Sequence, residues 1–173
     1  MSEAAEHSAI EALRDGRRIE IRALKPEDRD GMVAAFDRVS AQSRQRRFFS
    51  ARRTLTEKEI AFFLNVDFVD HVALVAAAEE GGKPAVVGGG RYIVVEPGRA
   101  EIAFAVLDQY QGQGIGAALM RHLLALARRA GLKELVAEVL PENAPMLKVF
   151  KRCGLPMTTK REAEVVHVTL QLS

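Results

Sequence analysis

The stretch Asp108-Gln-Tyr-Gln-Gly-Gln-Gly-Ile-Gly-Ala117 follows a β-like run, Ala100 to Leu107, and precedes a helix-like run, Ala118 to Ala130. A strand that feeds a glycine-rich turn and then a helix offers several backbone N–H groups and a positive dipole end to one anion. Gly112, Gly114 and Gly116 lack the side chains that would hold a phosphate away from those amides. A phosphate-bearing ligand is the expectation for this turn.

Upstream, three strands should form a meander. His71 to Ala78 is a continuous apolar run suited to a buried strand, Ala85 to Val95 is the second, and Ala100 to Leu107 the third. Gly81-Gly82 and Pro97-Gly98 mark the turns between them. Gly88-Gly89-Gly90 inside the second strand reads as a bulge or a close backbone approach, the bulge being preferred. Downstream, Leu119, Met120, Leu123, Leu124 and Leu126 keep helical spacing up to Gly131. Lys133 to Leu140 is a further strand, Pro141-Glu-Asn143 caps a helix reaching Gly154, and Glu164 to Leu172 alternates as the last strand.

The N-terminal third adds a half-exposed strand, Arg18 to Leu24, and a helix opened by Pro26-Glu-Asp28. Thr56-x-x-Glu59 is a capping box that starts another helix. Between the two lies a basic segment, with Arg44, Arg46, Arg47, Arg52 and Arg53 around Phe48-Phe49. It reads as a solvated connection or as an electropositive patch. Residues 1–16 read as a loosely held leader with a short helix around Ile10 to Leu13, and residues 17–173 as a single domain.

Composition bounds the function. A chain of 173 residues with 48% hydrophobic and 28% charged residues is ordinary for a globular domain. A net charge of +2 does not argue for nucleic acid. Cys153 stands alone, so no internal disulfide can form. Without a signal peptide or an apolar run near ~18 residues, a cytoplasmic protein that neither spans nor binds a membrane is expected.

Two phosphate-ligand patterns compete at the turn. Gly112-x-Gly114-x-x-Ala117 loosely fits a dinucleotide fingerprint, with Glu134 or Glu138 downstream. That fingerprint turns directly off its strand, whereas Asp108-Gln-Tyr-Gln111 intervenes here, and the remaining chain is too short for a second βαβ half. The pattern that fits is Gln-x-x-Gly-x-Gly/Ala, met by Gln111, Gly114 and Gly116. With the meander before it and the Asn143 helix after it, the chain from Arg18 to Leu172 resembles the GNAT superfamily of acyl-CoA-dependent N-acetyltransferases.

The resemblance implies an α/β (α+β) fold, a mixed and mainly antiparallel sheet of about six to seven strands flanked by about four helices. It implies acetyl-CoA as the donor, with no metal. Gln111, Gly112, Gln113, Gly114, Ile115, Gly116 and Ala117 would hold the CoA pyrophosphate, and Asn143 would contact CoA besides capping its helix. Phe104, Ala105 and Val106 would pair their backbone with the pantetheine arm. The residues agree, because Ile102, Phe104 and Val106 form one bulky face of the strand. Glu101, Ala103 and Ala105 form a small-residue face with room for a thin ligand.

Acetyl transfer to a lysine-type amine, with a pKa near ~10.4, needs a general base. Glu101 is the candidate, on the small-residue face just upstream of the expected thioester, and Glu138 is the reserve. Glutamate at this point of the strand is common in bacterial GNAT protein-lysine acetyltransferases, so the resemblance names the same residue. A strand N–H near Val106 would meet the oxyanion. Many relatives carry a tyrosine as general acid where this chain has Phe150, so the leaving group should depart as thiolate or take its proton from water. Lys148, Lys151 and Arg152 are within reach of the 3′-phosphate or form a solvated face. His71 and His167 read as core or surface residues, and Cys153 as a helix-end residue.

Arg22-Ala-Leu-Lys-Pro-Glu-Asp28, Ser40-x-x-Ser-x-x-Arg46-Arg-Phe48-Phe-Ser50 and Asp70-His-Val-Ala-Leu74 are similar to the catalytic domain of bacterial protein-lysine acetyltransferases. A protein lysine is therefore the first acceptor to expect, a small amine the second. A non-catalytic acyl-CoA sensor is the reading from another class. Monomer and homodimer stay equally open.

Overall fold

The computed structural model describes residues 3–38, 56–141 and 143–172; the arginine-rich segment around Phe48 and Phe49 lies outside them. The described chain forms one eight-stranded sheet in the order β1-β2-β3-β4-β5-β6-β8-β7. The strands are β1 Ser8–Ala12, β2 Arg18–Ala23, β3 His71–Glu80, β4 Lys83–Glu96, β5 Arg99–Val106, β6 Glu134–Val139, β7 Met157–Glu162 and β8 Val165–Gln171. Every pairing is antiparallel except β5 with β6. Among the described residues four α-helices flank it: α1 Arg29–Arg38, α2 Glu57–Leu64, α3 Ile115–Arg129 and α4 Ala144–Arg152.

The apolar run of β3 is buried from His71 to Ala78 because the sheet is covered on both faces. Val72, Leu74 and Ala76 join Leu119, Leu123 and Leu126 of α3 in the main core. Ala73 and Val75 point to the opposite face, where Leu24, Leu64 and Val86 form a smaller cluster. The capping box starts α2 as expected, with Glu59 N–H donating to Thr56 Oγ1 and Thr56 N–H to Glu59 Oε1, both at 3.1 Å.

The glycine triplet of β4 serves two purposes. The β3–β4 register shifts between Ala76 and Ala77, so Val87 is an extra residue and the expected bulge is present. Gly90 also allows close packing: a Cβ there would lie 2.9 Å from Leu123 Cδ1 and 3.0 Å from Phe104 Cβ.

Two edge strands depart from the sequence expectations and bring the count to eight. The expected loose leader with a helix around Ile10 is instead a 3-10 turn, Glu3–Glu6, followed by β1 on the edge of β2. Side chains from distant sequence hold it. His122 of α3 bonds both His7, at 2.7 Å, and Glu11, at 2.7 Å, while Arg121 reaches Glu11 at 2.9 Å. The other addition is β7, which pairs along β8 and is exposed over most of its length.

Candidate active site

Beyond β5, a 3-10 turn, Asp108–Tyr110, leads into the glycine turn. Gly112 and Gly114 adopt φ of 80° and 97°, a region costly for other residues, and Gly114 is the N-cap of α3. Helical bonding begins with Ala118 N–H to the Gly114 carbonyl, 3.0 Å. The N–H groups of Ile115, Gly116 and Ala117 therefore open the helix without an intrahelical acceptor. Those three residues, with Gln111, Gly112 and Gly114, line a cavity of about 670 Å3. Gln111 ties the turn to its strand, its Nε2 donating to the Val106 carbonyl at 3.1 Å. Gln113 is absent from the described lining and is held by the N-terminal segment instead. Its carbonyl accepts from Arg14 N–H and its Oε1 from Asp15 N–H, each at 3.2 Å.

The cavity owes its depth to an interruption in the sheet. β5 and β6 pair only at Arg99–Glu134, Ala100–Leu135 and Glu101–Val136. β5 then continues to Val106 while β6 diverges, leaving a V whose open edge includes Phe104, Ala105 and Val106. α4 closes the far wall through Asn143, Met146 and Val149. Asn143 is buried and caps the helix, its Oδ1 accepting from Met146 N–H at 3.4 Å, while its side of the cavity stays lined by it. Phe150 does not line the cavity among the described residues; it is fully buried edge-on to Phe104, with ring centroids 5.5 Å apart.

The two faces of β5 are as read from its alternation: Ile102 and Phe104 are buried in the main core, while Glu101 is exposed and Ala103 and Ala105 half-buried. Glu101 is the last residue paired with β6, at the apex of the V, in one row with His71, Ile93 and Val136. Glu138 lies two residues beyond Val136 on the diverging arm, on the same face, and its Oε1 is 3.9 Å from His167 Nδ1. His71 is a core residue. Its Nε2 accepts from Arg91 at 2.7 Å, and burial, followed by the Arg91 charge, holds its pKa below the ordinary histidine value.

Cations stand on both walls of the cavity. Lys148 and Arg152 project from α4, whereas Lys151 is not on the lining. Arg14 faces them from the β1–β2 turn and donates through Nη1 to the Gly112 carbonyl at 3.1 Å. A second set of contacts braces the turn from below. Arg17 lies 4.8 Å over the Tyr110 ring, and Tyr110 donates its hydroxyl to Glu80 at 2.5 Å. Glu80 is also forked by Arg38, at 2.9 and 3.1 Å. The Arg38 bonds, then the Tyr110 bond, hold the Glu80 carboxyl below its ordinary pKa.

The family model of the acetyltransferase (GNAT) family matches residues 34–155, the span that holds the glycine turn and both strands of the V. This chain belongs to the GNAT acetyltransferase family. An acetyltransferase from Pseudomonas aeruginosa is 32% identical over 163 residues, 91% of this chain and 87% of that protein. The GNAT domain of S. lividans PAT superposes with a TM-score of 0.85 at 35% identity, covering 95% of this chain and 96% of that one. The acetyltransferase Pat of Mycolicibacterium smegmatis is 33% identical over 146 residues, 82% of this chain but only 42% of that protein. The GNAT chain described here thus spans less than half of that longer relative.

In this GNAT acetyltransferase the structure brings the glycine turn, the open edge of β5 and Asn143 around one cavity, whereas Gln113, Glu101 and Glu138 are not on its described lining. The sequence reading missed Arg14, which was assigned to a leader. The only local signal was a turn, Asp15-Gly16, next to an arginine.

Proposed function

We propose that this GNAT acetyltransferase moves an acetyl group from acetyl-CoA to the ε-amine of a protein lysine, by direct attack in a ternary complex in the cytoplasm. The observation that carries the reading is Glu101 at the apex of the V, exposed and on the small-residue face of β5. The turn fits the phosphate handle of the donor, since its helix-opening amides and Arg14, Lys148 and Arg152 face one cavity. The open edge at Phe104, Ala105 and Val106 suits an extended amide-bearing arm, which would take the place of the missing β6 partner. Acetyl-CoA supplies an activated acyl group when bound. Glu101 takes the proton of the attacking amine, directly or through one water, and a β5 N–H near Val106 meets the developing oxyanion. Glu138, across the mouth of the V, is the reserve base.

The preference for a protein acceptor rests on the N-terminal segments that resemble bacterial protein-lysine acetyltransferases. Incubation with labelled acetyl-CoA and, in parallel, a protein lysate or a pool of small amines should put label into protein. Label confined to the small-molecule fraction would remove the lysine assignment while leaving the acetyltransferase chemistry intact.

Arg14 adds a separate expectation. Arg14→Ala should raise the KM for acetyl-CoA about tenfold with little change in kcat, the loss expected for one charge-assisted phosphate contact. The effect should shrink as salt is raised, because an exposed charge is screened. Arg14→Lys should recover part of the affinity, and an unchanged KM in Arg14→Ala would remove the residue from the donor site.

A further inference from the structure

A second cavity, of about 140 Å3, lies between the sheet and the α1–α2 layer, on the Ala103 and Ala105 face of β5. Ala73, Ala103 and Ala105 form its floor, and Met32, Phe36 and Phe63 its roof. Phe104, Ala105 and Val106 line both this cavity and the larger one, so the two meet across the open edge of β5. We propose that the smaller cavity receives the tail of an acyl group longer than acetyl, of about four to six carbons. The inference rests on the acyl-CoA reading above and names the donor class more closely.

Three observations select this occupant. The volume is that of a small hydrocarbon, since an apolar cavity of roughly 150 Å3 takes up a benzene-sized molecule. The position is where a group carried on the pantetheine sulfur arrives, because the residues shared by both cavities are those offered to the pantetheine arm. The charge disfavours the other substrate. Among the described residues, Arg91 is the ionisable side chain on the lining, its guanidinium bonded to the Phe63 carbonyl at 3.0 Å and stacked 4.7 Å over the Phe63 ring. A cation in an apolar recess repels an incoming ammonium and leaves an alkyl tail undisturbed. The transfer is the same for any chain length. The amine nitrogen bonds to the acyl carbon, the carbon–sulfur bond breaks, the thiolate leaves, and the amine proton passes to Glu101.

The test measures Kd and kcat/KM for acetyl-, butyryl-, hexanoyl- and decanoyl-CoA. Affinity should tighten by up to about fourfold per buried methylene as far as hexanoyl and fall again for decanoyl. Ala73→Leu fills the floor and should erase that gain while leaving acetyl-CoA binding unchanged. Met32→Ala, in the partly exposed roof, should move the optimum to longer chains, and it reports even where Ala73→Leu does not fold. A flat chain-length series, a gain that survives Ala73→Leu, or an optimum unchanged in Met32→Ala overturns the proposal. A flat series in which Ala73→Leu raises the KM of the acceptor also overturns it and gives the recess to the amine substrate. Failure of every acyl-CoA to bind has a different meaning: it removes the acyl-CoA reading itself, and this inference with it.

Discussion

Glu101→Gln is expected to lower kcat at neutral pH by about 10²–10⁴-fold while leaving the acetyl-CoA Kd within about twofold of wild type. The amide keeps the size of the carboxylate but cannot take a proton. With an amine pKa near ~10.4, roughly one lysine in a few thousand is neutral at pH 7, so the loss of proton acceptance falls directly on the rate. Binding should survive because Glu101 lies at the closed end of the V and on neither cavity lining, whereas the groups proposed to hold the donor line the larger cavity. The variant should recover with rising pH, as solvent deprotonates the acceptor, and approach wild type near the amine pKa. Glu138→Gln is the control; its partner is His167 and it stands away from the apex, so a loss under about threefold is expected. Wild-type turnover of Glu101→Gln across the whole pH range would show the base assignment to be wrong. Intact acetyl-CoA binding together with abolished turnover would exclude a mere sensor.

The same strand shows why some of this molecule was legible in sequence and some was not. β5 announces its two faces because period-two alternation records which side is buried, and Ile102 and Phe104 are indeed buried against Glu101 exposed. The glycine turn was legible because two of its glycines occupy positive φ, a requirement written directly in residue type. β7 left no such mark. Its run Met157-Thr-Thr-Lys-Arg-Glu162 has almost no buried face to pattern, and it is a strand through its pairing with β8. β1 escaped for a related reason: Ile10 points outward with 64% exposure, and the strand is held by His122, 115 residues after His7. Arg14 belongs to the same class. Its place beside the turn depends on a bond to Gly112, 98 residues away, and no local pattern encodes a contact of that range. The opening between β5 and β6 is likewise a property of pairing, since both strands read as ordinary sheet until their register ends at Glu101 and Val136.

Phe150→Ala should be the most damaging single truncation near the site, costing about 3–5 kcal/mol of stability. The side chain is fully buried and meets Phe104 edge-on, so its loss removes both apolar burial and an aromatic pair. At about 2–4 °C per kcal/mol for a domain of this size, thermal denaturation should show a fall on the order of 6–20 °C. The consequence reaches the proposed donor site because the same helix turn carries Val149, 3.5 Å from where a Cβ on Gly116 would stand, and because Asn143 opens that helix. With its aromatic anchor gone, α4 can shift against α3 and β5, and the KM for acetyl-CoA should rise about three- to tenfold in protein that remains folded. Phe150→Tyr separates this packing role from chemistry. Its hydroxyl would enter a dry core rather than the cavity, so it should cost about 1–3 kcal/mol and give no gain in kcat. A faster Phe150→Tyr enzyme would instead mean that this position reaches the leaving thiolate, and that protonation there limits the rate.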